Sequence, residues 1–146
     1  MTSARSMPDD QHVDERDVVV YLGLLMSQAR DLILASRHPL RPSQFRVISM
    51  VPYDAGVSMT DLAERVGMTK QGVGQFVSGL VESGHLAIEE DPDDRRRRVV
   101  TRTQRGNEVT AELAWMLEGL EETWAKQVGE RRYAQFRRTL EEIALR

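Results

Sequence analysis

The chain has 146 residues, a formal net charge of −3, no cysteine, and three histidines that lack the spacing of metal ligands. This length allows one sizeable core and leaves no room for an appended catalytic domain. Without cysteine the chain can form no disulfide, no cysteine-based zinc site and no thiol redox switch. We find no secretory signal and no apolar run that approaches membrane length. We therefore expect a cytoplasmic protein with no membrane partner, no metal and no cofactor.

The N-terminal third is predicted to contain a tail and two helices. Residues 1–14 are polar, and we expect them to be disordered. From Asp17 to Ser36, apolar residues recur at the three- and four-residue steps of a helix. Pro42 suits the first turn of a shorter helix that reaches Met50, and Pro52 is expected to stop that helix.

A helix-turn-helix is predicted over residues 59–80. Apolar residues at helical spacing supply the faces of two crossing helices, and the small side chain of Ala63 lets the second helix pack closely. Gly67 tolerates the positive φ of the tight turn. Thr69 is expected to cap the second helix by accepting a hydrogen bond from a free backbone N–H. In this motif the second helix enters a groove of DNA, so we interpret it as a recognition helix.

The predicted recognition helix has an apolar face and a polar face. Its polar face and its entry provide the expected DNA contacts, which are Thr69, Lys70, Gln71, Gln75 and Ser78. Glutamine can pair with N6 and N7 of adenine, and lysine can reach phosphate or guanine. Gly72 and Gly74 lower helix stability. Either they let the backbone approach DNA closely, or they are tolerated in a frame that tertiary contacts fix.

A β-hairpin with an arginine-rich tip is predicted to follow. Residues 86–88 alternate like a half-buried strand, and residues 99–101 supply a β-branched partner strand. Between them lies the sequence DPDDRRRR, whose Asp-Pro start is a turn signal. A helix-turn-helix followed by a two-stranded hairpin is a winged helix. Four arginines at the wing tip suit phosphates or a minor groove, and we assign Arg95, Arg96 and Arg97 to DNA. The alternative is a solvated charge run in a loop.

Two C-terminal helices complete the predicted fold. Thr103 can cap a long helix that ends at Gly129, and a last helix carries apolar residues up to Ile143. At ~1.5 Å per residue, the long helix would measure roughly 39 Å. Such a helix outreaches a small lobe, so we expect a two-fold dimer with Trp124, Leu140 and Ile143 at or near the interface. The alternative is a monomeric helical bundle.

The predicted fold class is therefore mainly α with a small β-hairpin. Residues 15–146 are expected to form a single winged-helix regulator domain. Within it, a DNA-binding lobe covers about residues 40–103. Helical dimerisation regions cover about residues 15–37 and 103–146.

The wing and the start of the next helix resemble the multiple-antibiotic-resistance regulator (MarR) family of bacterial transcription factors. The family pattern is Asp-x-Arg, five residues, then Leu-Thr-x-x-Gly, and here Asp94, Arg96, Thr103 and Gly106 match it. Arg102 departs from the pattern, because the family usually has an apolar residue there. Residues 40–45 also resemble the family's entry to its second helix, and the resemblance covers about residues 15–146. Asp94 is expected to pair with Arg96 and so stabilise the wing tip.

The resemblance implies a ligand-responsive repressor that binds a pseudo-palindromic operator as a homodimer. It also implies a small aromatic acid as the effector, bound between the dimerisation helices and the lobe. The residues expected at that junction are Tyr21, Met26, Phe45, Arg46 and Trp115. A cleft with aromatic walls and one cation suits a phenolic carboxylate. The alternative is that these five are ordinary core and surface residues.

Two other classes of function compete with a regulator. An enzyme is not expected, because the sequence has no nucleophile elbow, no glycine-rich phosphate loop and no metal triad. A winged-helix module that binds only other proteins, without specific DNA binding, remains the alternative. Such a module would not need four arginines at the tip of its wing.

Overall fold

The computed structural model describes residues 17–38 and 40–145. It confirms a mainly α fold with six helices and one two-stranded antiparallel hairpin in this part of the chain. The predicted tail, residues 1–14, lies outside the described residues. The elements in chain order are α1 Val18–Ala35, α2 Pro42–Ser49, α3 Met59–Val66, α4 Lys70–Glu82, β1 Leu86–Glu90, β2 Arg98–Arg102, α5 Gln104–Val128 and α6 Glu130–Ala144.

Local signals set most of these boundaries. Pro42 occupies the first turn of α2, and the backbone N–H of Arg41 donates to Gln44 Oε1 at 2.9 Å. Gly67 ends α3 in the left-handed region with φ 71°, a conformation that glycine adopts without steric strain. Thr103 caps α5 by accepting a hydrogen bond from the N–H of Gly106 at 3.0 Å. The predicted positions of these helix ends are confirmed to within one or two residues.

The core lies in the lobe formed by α2, α3, α4, the hairpin and the first half of α5. Strands β1 and β2 pair antiparallel, with Ile88 opposite Val100. Val57 adds a further bridge to Val100, through N···O distances of 3.0 and 2.8 Å. The fully buried apolar side chains of this core are Val47, Ile48, Val51, Leu62, Val66, Val73, Val77, Leu80, Leu86, Val100 and Leu113.

The helical region, α1, α6 and the second half of α5, is packed much less tightly. Of the 18 residues of α1, all of them described, only Ile33 is buried. Within α6, which is also described in full, no residue is buried. Beyond Leu113, Ala125 is the one buried residue of α5. Long exposed apolar side chains are therefore concentrated in this region.

Helix α1 corrects one expectation from the sequence. By length and composition alone, Val18–Ala35 could cross a membrane, so the statement that no apolar run approaches membrane length is wrong. The helix also contains Arg30 and Asp31, whose side chains approach to 3.6 Å. A helix that is apolar around most of its circumference needs a covering surface, and a second protein chain can provide one.

Candidate nucleic-acid interface

The helix-turn-helix consists of α3, a three-residue turn and α4. Ser58 caps α3 by accepting a hydrogen bond from the N–H of Asp61 at 3.1 Å, and Thr69 caps α4 by accepting one from the N–H of Gly72 at 3.0 Å. Ala63 is buried where the two helices cross. At the end of α3, Arg46 Nη2 donates to the carbonyl oxygen of Val66 at 2.6 Å. Both helix N-termini are thus fixed by side-chain caps.

The two faces of α4 differ in burial as the sequence pattern predicts. Val73, Val77 and Leu80 are buried, and Phe76 packs against the same core. The opposite face and the helix entry place five polar side chains in solvent, namely Thr69, Lys70, Gln71, Gln75 and Ser78. These groups are arranged along one exposed strip of a helix, where they can reach the edges of bases.

The two glycines at the start of α4 are in different surroundings. A Cβ added to Gly72 would lie 3.0 Å from Thr69 Oγ1, which is the capping atom. A Cβ added to Gly74 would meet no heavy atom of the described residues within 4 Å, the usual chain neighbours aside. Packing within the lobe therefore favours glycine at position 72 and does not require it at position 74.

The wing tip is held by its backbone and by two aspartates. The N–H of Asp91 donates to the Arg97 oxygen at 2.9 Å, and the N–H of Arg97 donates to the Asp94 oxygen at 2.8 Å. The carboxylate of Asp94 accepts a hydrogen bond from the backbone N–H of Arg96 at 3.1 Å. The predicted contact between these two residues thus involves the Arg96 backbone. Asp91 plays the same part at the start of the turn, accepting from the N–H of Asp93 at 3.0 Å.

This arrangement leaves the arginine side chains of the tip in solvent. All four residues 95–98 are exposed. Among residues 17–38 and 40–145, no ion pair or side-chain hydrogen bond involves their guanidinium groups. Four neighbouring positive groups repel one another in water and are stabilised by an anionic partner. A phosphate backbone is such a partner.

The root of the wing is joined closely to α5 and to the end of α4. Thr103 Oγ1 donates to the Gly84 oxygen at 2.7 Å, and the N–H of Thr103 donates to the His85 oxygen at 3.2 Å. A Cβ on Gly106 would lie 2.1 Å from that same His85 oxygen, so only glycine fits there. The Thr-x-x-Gly motif thus fixes the start of α5 against the turn that follows α4.

Two residues at this junction were missed by the sequence reasoning. Arg102 donates hydrogen bonds to α2 and α5, although the motif suggested an apolar residue at its position. His85 is fully buried, and its Nδ1 lies 2.7 Å from Ser83 Oγ. Burial lowers the pKa of His85, with smaller contributions from the nearby charges of Arg105 and His38. Neither role has a signal in the local sequence.

A family model matches part of this winged helix. Residues 38–97 match the MarR family model, so over these residues the chain is similar to the MarR family. The match covers α2, the helix-turn-helix, β1 and the wing tip. These elements carry the exposed polar strip of α4 and three of the four exposed arginines of the wing.

Other proteins are similar to this chain in sequence or in fold. A relative from Mycobacterium tuberculosis, Rv2011c, is 28% identical over 93 residues, which are 64% of this chain. This chain spans 63% of the length of that relative. The crystal structure of MarR superposes with a TM-score of 0.75 at 23% identity and covers 92% of this chain and 93% of its own.

CouR from Rhodococcus jostii superposes with a TM-score of 0.74 at 19% identity, covering 92% of this chain and 96% of its own. That structure contains bound p-coumaroyl-CoA, and another CouR structure contains a 23-mer DNA duplex. At these identities the likeness to solved structures concerns the fold. This likeness in fold extends beyond residues 38–97 to the helical region, since both structures cover 92% of this chain.

The structure places the five residues expected to bind an effector in different surroundings. Phe45 packs against the lobe core, and Arg46 is held at the end of α3 by Val66. The other three, Tyr21, Met26 and Trp115, are exposed, with Trp115 73% accessible. The effector site therefore stays a prediction.

A different apolar cavity lies between α1, α5 and α6. Its volume is about 310 Å³, and its walls include Leu25, Trp124, Tyr133 and Phe136. Trp124 Nε1 donates to Gln28 Oε1 at 2.8 Å, and the Tyr133 hydroxyl donates to Glu121 at 2.8 Å. Burial and this carboxylate raise the pKa of Tyr133 to about 12. The Tyr133 hydroxyl therefore remains protonated at neutral pH and keeps its bond to α5.

Proposed function

We propose that this protein is a sequence-specific DNA-binding transcriptional regulator. One observation carries the proposal, namely the exposed polar strip of α4 on the same lobe as four arginines without partners in the described structure. The glutamines supply groups that read base edges, and the arginines supply groups that contact phosphate. The net charge of −3 does not oppose this, since the positive charge is concentrated at the wing.

A binding experiment separates this function from its rivals. Labelled DNA from upstream of the protein's own gene is titrated against a shuffled sequence of equal length and composition, at a stated salt concentration. A regulator binds the native sequence far more tightly, typically by a factor of ~10³ or more. A module that binds only proteins shows no preference. Selection from sheared genomic DNA extends the test to operators elsewhere.

We propose further that the protein acts as a homodimer through its helical region. Support comes from α1, whose Val18, Tyr21 and Leu24 are exposed. It also comes from α6, which has an apolar face but no buried residue. A two-fold dimer covers both helices at once. It also sets two recognition helices about 34 Å apart, as two successive major grooves require.

The dimer is tested by a point variant in α6 and by deletion of that helix. Ile143 is 69% exposed, so Ile143→Glu leaves the isolated chain folded while placing charge in the proposed interface. Ala134→Glu, on the opposite face of α6 and also exposed, is the matched control. Light scattering should find monomer for the first variant and dimer for the control, and deletion of residues 130–146 should also give monomer. A dimer in all three contradicts the arrangement.

We infer that a small aromatic acid is the effector of a repressor, on the basis of the family resemblance. CouR, whose fold is similar, supports this inference because its crystal structure contains bound p-coumaroyl-CoA. Release of operator DNA requires that the ligand bind two states of the dimer with different affinity, and a tenfold effect needs ~1.4 kcal/mol. Titration of the protein–DNA complex with salicylate-like compounds tests the idea. No release by any of them would contradict it.

Arg46→Ala sharpens that test, because Arg46 was expected to bind the carboxylate but is bonded to Val66 in this chain. Loss of ligand response with operator affinity unchanged would favour the expected site. Loss of operator affinity itself would indicate that Arg46 stabilises the helix-turn-helix.

We propose no catalytic activity for this protein. We also propose that it lies in the cytoplasm, where the DNA that it binds is found.

A further inference from the structure

Arg102 is the last residue of β2, at the root of the wing, and it bonds to two other elements. Its Nε donates to the Ile48 oxygen at 3.1 Å, and its Nη2 donates to the Ser49 oxygen at 3.0 Å. Its Nη1 donates to Thr110 Oγ1 at 3.0 Å. All three nitrogens of one guanidinium group are therefore used, and they join the wing to α2 and to α5.

The acceptors in α2 are groups that a helix leaves unsatisfied. Ile48 and Ser49 are the last two residues of α2, so their carbonyl oxygens have no partner within that helix, and the Ile48 oxygen accepts one turn hydrogen bond from the N–H of Val51 at 3.1 Å. These oxygens also lie at the negative end of the helix dipole, where a cation is favourable. Burial lowers the pKa of Arg102 from its ordinary value, but an arginine stays charged in a protein.

The acceptor in α5 is itself part of the root of that helix. Thr110 is buried, and its hydroxyl donates to the Gly106 oxygen at 2.8 Å while accepting from Arg102. Gly106 lies against the turn that follows α4. The guanidinium group thus connects the wing to the same turn of α5 that is packed against the end of the recognition helix.

Other contacts also hold the wing at its base. The bridge between Val57 and Val100 pairs the hairpin with a segment outside it, and Leu86 and Val100 are buried in the lobe core. These contacts fix the inner end of the hairpin, whereas the hydrogen bonds of Arg102 tie the end of β2 to α2 and to α5. A two-stranded hairpin is only marginally stable by itself in water. Its direction therefore depends on how its root is held.

We propose that Arg102 is a positioning residue for DNA binding. By joining β2 to the end of α2 and to α5, it fixes the direction of the wing relative to α4. The arginines at the wing tip then reach phosphates while α4 lies in the groove. This inference rests on the proposed function, and it adds a residue at which the chain departs from the family pattern.

The first test needs no DNA. Hydrogen exchange is measured on the dimer for Arg102→Leu, which introduces an apolar residue of the family type, and for the control Arg105→Leu. Arg105 is an exposed arginine on α5 without a side-chain bond in the described residues. Amides of β1 and β2 should exchange about tenfold faster in Arg102→Leu, and amides in the middle of α4 should not. Unchanged exchange in the hairpin overturns the proposal, whether or not the protein binds DNA.

The second test is a double-mutant cycle on operator DNA with Arg96→Ala at the wing tip. Arg102→Leu alone should weaken operator binding about tenfold and lower the salt slope by about one unit per lost phosphate contact. Added to Arg96→Ala, it should weaken binding by much less than tenfold, because the wing contact is already lost. Full additivity overturns the proposal. A general structural role would lower stability and leave the salt slope unchanged.

Two further variants keep the test valid if Arg102→Leu folds poorly. Thr110→Val removes only the acceptor on α5, and Arg102→Lys keeps the charge but offers fewer hydrogen bonds. Thr110→Val should show the same faster exchange in the hairpin, and Arg102→Lys should restore part of the operator affinity. A Thr110→Val protein with wild-type exchange and wild-type salt slope overturns the link to α5. If the wild-type protein binds no DNA selectively, the proposed function fails and the exchange result still stands.

Discussion

The winged-helix lobe and the helical region bury their apolar residues to very different degrees. Eleven apolar side chains of the lobe and the adjoining start of α5, from Val47 to Leu113, have 2% or less of their surface accessible. In the helical region, α1 buries only Ile33 and α6 buries no residue. The lobe therefore completes its core within one chain. The helical region carries the apolar pattern of a core but leaves most of it exposed within the described residues, so its stability is expected to depend on a second chain.

The largest effect should come from a cavity in the lobe core. Leu62 is fully buried, so Leu62→Ala is expected to lower the free energy of unfolding by ~2–5 kcal/mol at any protein concentration. Ile143→Ala, in the exposed face of α6, should lower stability only by weakening the dimer, so its effect should depend on protein concentration and vanish where the chain is already monomeric. Urea denaturation at two concentrations tenfold or more apart measures both. Equal, concentration-independent losses would contradict the contrast between the regions.

A second prediction concerns base readout by the lobe. Gln71→Ala and Gln75→Ala should each lower affinity by ~1–3 kcal/mol at one operator position, because a bidentate contact with a base is lost. Binding to random DNA should be almost unchanged. Anisotropy titrations against a set of single-base operator variants give the position for each glutamine. Equal losses on operator and random DNA would assign both residues to the backbone.

The wing should behave in the opposite way. Arg96→Ala is expected to weaken binding to operator and random DNA about equally, because phosphate contacts carry little base information. The slope of log affinity against log salt should fall by about one unit. Glu89→Ala, a charge change on the hairpin away from the tip, is the control. A loss confined to the operator, or an unchanged slope, would refute the phosphate assignment.

A smaller effect should separate stability from binding in α4. Gly74→Ala and Gly79→Ala both place a methyl group where no described atom lies within 4 Å, so each should stabilise the folded chain by up to ~1 kcal/mol. Gly74 flanks the exposed strip and Gly79 lies further from its centre. Only Gly74→Ala should weaken operator binding, if DNA approaches the backbone there. Thermal unfolding and anisotropy, measured on both variants, decide between close approach and simple tolerance.

The smallest predicted effect is on the pH dependence of stability. The pKa of His85 is lowered in the folded chain, first by burial, so the unfolded chain binds a proton more readily. The stability contributed by neutral His85 is present above its unfolded pKa of about 6.5 and is lost as pH falls below it. His85→Gln should flatten the fall below that pH by at most ~1.4 kcal/mol per pH unit. An unchanged pH profile of urea unfolding would contradict this.

Sequence reasoning succeeded where the determining signal is local. The helix ends follow from the sequence because the residues that set them contact or shape the backbone only a few positions away. These residues are Pro42, Gly67, Thr69 and Thr103. The exposed strip of α4 follows from its helical period.

What the sequence could not predict involves residues whose partners are distant in the chain. Arg102 bonds to carbonyls 53 and 54 residues away, and Arg46 bonds to one 20 residues away. Composition alone suggested neither pairing. The expected cleft included Arg46 because a cation near aromatic residues suits an acid, but the fold places that cation against α3. The local sequence pattern does not predict which distant residues a long side chain will contact in the folded chain.

The central claim is that two copies of the lobe read DNA together because the helical region joins them. Hydroxyl-radical footprinting on a selected operator tests it most directly, with Ile143→Glu beside the wild-type protein. The account predicts two protected half-sites, centred one helical turn or about 34 Å apart, for the wild type and loss of both at the same concentration for the variant. A single protected half-site for the wild type, or the same footprint for both proteins, would contradict it.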